Sequence, residues 1–312
     1  KWFVETIKTL DYIRRDLGKV HVDAYGVEDY VSKDALRGVR DLGAVMDRYG
    51  KSVDRVFVET GVVCDYVSRD ALRSFVDACA VMDWYGKGVV RVLVDASHDQ
   101  YYNDQRLTGL INRIKEELGW LVDVNYQKPL TSEVLSKYNI LIITNPKTDI
   151  TEEEAQTIKN WVREGGGLLI TGDWYRYVYY RSLNRITEEF GIKFNDDELM
   201  DEEHNTGRPY YPLVGEFNLE HPITKFLNET SQLYYNGDTL DVSGNAVWII
   251  RGYSSAYAAE SSGKVVKEKG SKPIVAAAVE VGSGRIVAYG SSRALSDEYY
   301  GRYITTNWPF LK

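Results

Sequence analysis

Gly165-Gly166-Gly167-Leu168-Leu169-Ile170-Thr171-Gly172-Asp173-Trp174 runs from a glycine triplet through a short apolar strand into a polar elbow. The glycines precede the strand instead of following it, so they close the helix before them and are not a phosphate loop. Residues 90–98, 139–146 and 285–293 have the same strand-to-elbow form. With helices between the first three, the four segments predict a parallel α/β sheet whose strand ends open on one edge, where such sheets hold ligands. The elbows contain Ser97, His98, Asp99, Asp173, Trp174, Ser291, Ser292 and Arg293. They contain no cysteine, and no nucleophile in a Gly-x-Ser-x-Gly or Gly-x-Cys-x-Gly setting. The sequence therefore states an architecture and not a reaction.

Outward from these segments the alternation of strand and helix continues. Leu107, Leu110, Ile111, Ile114 and Leu118 recur at helical spacing, residues 121–126 read as a strand, and 131–138 as a short helix. Thr151-x-x-Glu154 is a capping box that opens a helix reaching Arg163. A helix near 181–190 precedes an acidic, then Gly/Pro/Tyr-rich stretch, 195–212, that reads as a long surface insertion. Strands come next at 246–251, 274–281 and 285–289, the last two joined as a hairpin through Gly282-Ser283-Gly284. The expected fold of 89–312 is α/β, a flavodoxin-like, mainly parallel sheet with helices on both faces. The chain starts at Lys1 without Met and ends on Asn307-Trp308-Pro309-Phe310-Leu311-Lys312, which reads as the first turn of a truncated helix. Both ends predict a piece of a larger protein.

Residues 1–88 form an internal repeat. Asp29-Tyr30-Val31-Ser32-Lys33-Asp34-Ala35-Leu36-Arg37 returns 36 residues on as Asp65-Tyr66-Val67-Ser68-Arg69-Asp70-Ala71-Leu72-Arg73. Each copy reads as strand then helix, with one apolar face that neighbouring units must cover. The repeats thus predict a protein partner or self-association. Cys64 and Cys79 replace Glu28 and Gly43 of the preceding copy. That coincidence points to a disulfide whose 15-residue loop would contribute about 3 kcal/mol.

A formal charge of −8 and scattered basic residues oppose nucleic-acid binding, which needs a basic surface. No apolar run approaches a membrane span. Twenty-four tyrosines, two cysteines and three methionines fit a thermophile, in which ion pairs are plentiful and labile residues scarce. Tyrosine-rich surfaces also suit extracellular binding, which favours an extracellular or cell-envelope setting over the cytoplasm.

Three stretches carry a family resemblance: residues 161–173, ending Leu168-Leu169-Ile170-Thr171-Gly172-Asp173; His221-Pro222-Ile223-Thr224; and residues 284–297, containing Ala288-Tyr289-Gly290-Ser291-Ser292-Arg293. In this order they resemble the class I glutamine amidotransferase-like superfamily. Within it the nearest likeness is to a prokaryotic domain family of unknown function, related to trehalose-utilisation-type proteins and to gliding-motility and intraflagellar-transport domains. Amidotransferases of the superfamily carry a cysteine on a strand-to-helix elbow; here both cysteines lie in the repeats. The resemblance therefore implies a binding or assembly module without glutaminase activity.

Each candidate site has a bland alternative. His98 and Asp99 come directly after the first strand of the main sheet, where they suit hydrogen bonding or metal ligation beside Asp173; the alternative is an elbow whose Asp caps the next helix. Asp173, Trp174 and Tyr175 set a carboxylate beside two aromatic faces, a combination for a sugar ring or a cation, or else a turn with core aromatics. Ser291, Ser292 and Arg293 suit an anion, or form a strand-to-helix turn in which Ser296 or Asp297 caps the helix beyond it. Glu202 and His204, in an acidic stretch, are the candidates for a divalent metal, and no other cofactor is implied. Three functions are expected, in order: a non-catalytic binding or assembly module, a metal-assisted hydrolase using His98, Asp99 and Asp173, and a carbohydrate-binding module.

Overall fold

Alternation of apolar side chains along each short strand decides which residues meet on which face of the sheet. In the computed structural model, which describes residues 89–312, Val92 and Val94 enter one core and Leu93 the other. Ile142 likewise opposes Leu141 and Ile143. Strands β1 (Arg91–Asp95), β2 (Leu121–Asn125), β3 (Ile140–Ile143) and β4 (Gly167–Thr171) are separated by helices α1 (Thr108–Glu117), α2 (Ser132–Leu135) and α3 (Glu152–Arg163). Helix α4 (Tyr180–Thr187) is next, then β5 (Ile192–Phe194), β6 (Glu198–Met200), β7 (Leu213–Val214), β8 (Glu216–Phe217), β9 (Leu233–Tyr234) and β10 (Leu240–Val242). The chain continues through β11 (Val247–Arg251), β12 (Tyr257–Ala259), β13 (Val265–Lys267), β14 (Ile274–Val281) and β15 (Gly284–Tyr289) to helix α5 (Arg302–Leu311).

The main sheet has ten strands, with the order β2-β1-β3-β4-β15-β14-β10-β5 and β11 and β8 branching from β14. Strands β2, β1, β3, β4 and β15 are mutually parallel; every pairing beyond β15 is antiparallel. The sheet is thus mixed, and the expected mainly parallel, flavodoxin-like arrangement holds only for its first five strands. The reason is the 282–283 hairpin: it returns β15 beside β14, and each strand added to β14 then takes the opposite direction. Helices cover both faces, α1 and α5 over Val92 and Val94, and α2, α3 and α4 over Leu93 and Ile143.

Local signals explain the helix ends. Thr151 Oγ1 accepts the Glu154 amide at 3.2 Å, the first half of the expected capping box, but the Glu154 carboxylate turns away from the helix terminus. Gly165 N–H bonds Val162 O at 3.0 Å and Gly166 N–H bonds Trp161 O at 3.1 Å, a paired C-terminal closure that puts Gly165 at φ +126°. The carboxylate of Asp297 caps the Gly109 amide of α1 at 2.8 Å instead of the helix beyond it. Trp308 and Pro309 lie in the last turn of α5, not the first turn of a cut-off helix. The stretch expected to be a surface insertion contributes β6, which pairs with β12 and buries Asp197, Glu198 and Leu199. The 36-residue repeats, with Cys64 and Cys79, lie outside the described residues.

Ile143, fully buried beneath α3, and Leu121, half-exposed on the outer edge of β2, test this layering. Ile143→Ala is expected to lower unfolding free energy in urea by about 2–5 kcal/mol. Leu121→Ala is expected to change it by less than about 1 kcal/mol.

Candidate functional site at the sheet edge

All four elbows do reach the same edge, because β1, β3, β4 and β15 are adjacent and parallel. What they bring there differs from the sequence expectation. His98 is fully buried, with Nδ1 2.8 Å from Asp95 Oδ2 and Nε2 3.2 Å from Glu154 Oε2. Burial opposes its charge, but the bonds to Asp95 and then Glu154 outweigh it and hold the imidazole protonated up to about 9. Asp95, for all its burial, is held below the usual carboxylate range by His98. The other Glu154 oxygen accepts the Leu130 amide at 2.6 Å, so one imidazolium ties β1, α3 and the loop after β2 together. Ser97 Oγ donates to Asp95 Oδ1 at 2.7 Å, and Asp99 is exposed.

The serines of the fourth elbow are equally occupied. Ser291 Oγ donates to Asn236 O at 2.6 Å. Ser292 Oγ accepts the Asn145 amide at 2.8 Å and lies 2.7 Å from Thr171 Oγ1. Glu202 pairs with Lys269 at 2.8 Å, while His204 Nδ1 lies 3.0 Å from Ser255 Oγ. They do not share a site, and among the described residues no three His, Cys, Asp or Glu side chains are arranged to hold a metal. A cleft of about 530 Å³ lies to one side, between the N-terminal ends of α2 and α3, walled by Lys128, Thr131, Asp149, Thr151 and Glu153.

Asp173 and Arg293 do come together, joined by residues that sequence reasoning missed. Arg293 pairs with Glu298 at 2.8 Å, donates to Asn236 Oδ1 at 3.3 Å and lies over the rings of Tyr211 and Tyr303. Burial raises the Tyr102 hydroxyl far above its ordinary range, with the nearby charges of Asp173 and Glu298 adding to this and Arg293 opposing it, and Tyr101 carries Arg106 at 3.9 Å and Lys147 at 4.8 Å from its ring centre. Trp174 packs on Tyr175 and Tyr177. The doubled Tyr101-Tyr102 and the acidic Asp297-Glu298 were signals available in the sequence.

Beside these residues lies a buried carboxyl cluster. Burial pushes Asp173 up to about 7 against the Trp174 amide and the Arg293 and Lys147 cations. Burial also lifts Glu198 to about 7, against bonds from Tyr175 and Asn236. Asp238, wholly buried with neither oxygen hydrogen-bonded, is driven well above the carboxylate range by burial and by Asp197 and Asp173. Its carboxyl lies against Gly172 and Gly290, where any side-chain carbon would collide with it.

The IFT52 GIFT domain model matches residues 91–304, and the chain belongs to that family. A solved structure described as the mmIFT52 N-terminal domain superposes with a TM-score of 0.57 at 20% identity, covering 71% of this chain and 98% of that one. This likeness concerns the fold alone. A curated but uncharacterised protein of Aquifex aeolicus (strain VF5) is 28% identical over 124 residues, 38% of this chain and 50% of its own length. The chain thus spans about half of that relative.

The titrations separate by pH window. Because His98 holds its proton to about 9 when folded against 6.5 ordinarily, its stabilisation is complete below about 6.5, declines as pH rises and is gone above about 9. For Asp173 and Glu198 the folded values near 7 exceed the ordinary 3.8 and 4.5, so stability falls as pH rises from about 4 to about 7, then levels. Urea denaturation from acid to alkaline pH should show both limbs. Asp173→Asn with Glu198→Gln flattens the first. His98→Leu removes the second and costs about 3–5 kcal/mol at neutral pH by leaving two buried carboxylates unpaired.

Proposed function

We propose that residues 89–312 are a non-catalytic binding or assembly module that engages a protein partner through the rim of the sheet edge. The observation that carries this reading is the commitment of the elbow side chains to the protein itself. Ser97, His98, Ser291 and Ser292, the groups that a hydrolytic site would need free, all bond within the fold. Outside them stand exposed aromatics, with Tyr101 at 41%, Tyr177 at 53% and Tyr300 at 98% exposure. Tyrosine, tryptophan and arginine are the residues that anchor protein interfaces. The parallel order β2-β1-β3-β4-β15 supports descent from amidotransferase-like sheets, and the family's relation to intraflagellar-transport proteins supports assembly as the role.

A metal-assisted hydrolase is the second reading, favoured by one observation: two buried carboxyls, Asp173 and Glu198, held near 7, where general acids work. Both readings meet in one experiment. A photo-crosslinking residue at position 101 or 177 is expected to trap protein, while one at the remote, exposed Glu229 is not. Ester, amide and glycoside substrates, with Zn²⁺ or Mn²⁺ present, are expected to show no turnover that Asp173→Ala abolishes. Turnover lost in that variant would establish the second reading.

A further inference from the structure

We propose that the cationic surface at Tyr101, Arg106 and Lys147, beside Tyr102, Arg293 and Glu298, binds an acidic side chain of the partner protein. This inference rests on the binding-module reading and specifies what the rim recognises.

Cations outnumber ionised carboxylates there. Lys147 is exposed, and among the described residues no carboxylate lies within ion-pair distance of it. Arg106 lies flat on Tyr101, and its carboxylate partner, Glu298 at 3.7 Å, is shared with Arg293 at 2.8 Å. Asp173, the other acid present, is 7% exposed, and burial raises it to about 7, so that it carries less than a full charge near neutral pH. In a chain of net charge −8, this local excess of positive charge distinguishes one spot from the surrounding surface.

Two buried polar groups add direction. Tyr102 is 6% exposed, its hydroxyl makes no hydrogen bond to the described residues, and the charges of Asp173, Glu298 and Arg293 lie near enough to act on it. Asp173 takes the Trp174 amide on Oδ1 and leaves Oδ2 without a protein donor or acceptor. The Tyr102 hydroxyl, and Asp173 in its protonated form, can each donate to a carboxylate that reaches them, and Lys147 and Arg106 would meet its charge. Tyr101 supplies an apolar wall.

A carboxylate fits better than a phosphate. Phosphates are held by helix N-termini, and the N-terminus of α1 already has the Asp297 carboxylate at 2.8 Å from Gly109 N. Glu298 at the same spot would also oppose a dianion more than a single charge.

The test uses the full chain and three probes: acetylated, amidated hexaglutamate, its hexaglutamine counterpart, and inorganic phosphate. Hexaglutamate is expected to bind about tenfold more tightly than hexaglutamine at low salt and to lose that advantage at high salt. Lys147→Glu and Arg106→Glu should each weaken it about fivefold or more, Tyr102→Phe about threefold with the fold intact, and the remote Lys264→Glu not at all. Equal binding of the two peptides, or an equal loss in Lys264→Glu, overturns the proposal. Tighter binding of phosphate than of hexaglutamate overturns it in favour of a small-anion site. If crosslinks from positions 101 and 177 survive both charge reversals, the acidic-guest proposal falls while the binding-module reading stands.

Discussion

A protonated imidazole between two carboxylates, all withdrawn from water, is the constraint around which the sheet edge is arranged. Three ionised groups can share a dry interior only when their geometry satisfies each one. Asp95 meets this by accepting from Ser97, Gln100, Asn125 and His98, and Glu154 by accepting from Leu130 and His98. His98 O in turn accepts the amides of Lys147 and Thr148. The loops after β1 and β3 are therefore fastened across the point where strand order reverses, where open α/β sheets usually admit a ligand. A structural joint occupies that point.

The buried carboxyls beyond β4 obey a different electrostatic rule. Asp173, Asp197, Glu198 and Asp238 come from the end of β4 and from the strands and loops that pack beyond it, and burial raises every one of them. Hydrogen bonds hold Asp197 to Thr239 and Glu198 to Asn236, while Asp238 has only the close backbone of Gly172 and Gly290 beside it. Carboxyls in such surroundings keep their protons instead of acquiring cationic partners.

Legible and hidden features divide by distance along the chain. The elbows, the 282–283 hairpin, the Gly165 closure and the helix near 181–190 rest on periodicity and turn chemistry within a few residues, and they are read correctly. Features that depend on distant partners are not. Nothing near Asp297 announces that it caps a helix 188 residues away, and Thr151-x-x-Glu154 conceals that Glu154 serves His98 and Leu130. The antiparallel strands β8, β10 and β11 owe their direction to β14, which no local pattern declares. His98 and Ser292 reach the expected edge with their polar atoms bonded inside the fold, and a sequence cannot show whether a polar group already has such a partner. Tyr102, Lys147 and Glu298 become relevant only once three separate loops have met.

A closed, rigid edge suits recognition better than chemistry. Catalysis needs groups left under-bonded until the substrate arrives, whereas binding benefits when the presenting surface has already lost its freedom. Here the backbone under Tyr101 is fixed by Thr144 Oγ1 on Tyr102 O at 2.7 Å, and that under Tyr177 by Asn145 Nδ2 on Tyr177 O at 2.6 Å. Tyr299, Tyr300 and Gly301 form consecutive left-handed residues, φ 55°, 58° and 72°, stabilised where Gly301 N–H bonds Asp297 O at 2.8 Å. Two non-glycine residues in that region persist only when their surroundings over-determine them. The turn therefore fixes the backbone that carries Tyr300 into water, so that the loop itself has little freedom left to lose when a partner covers it.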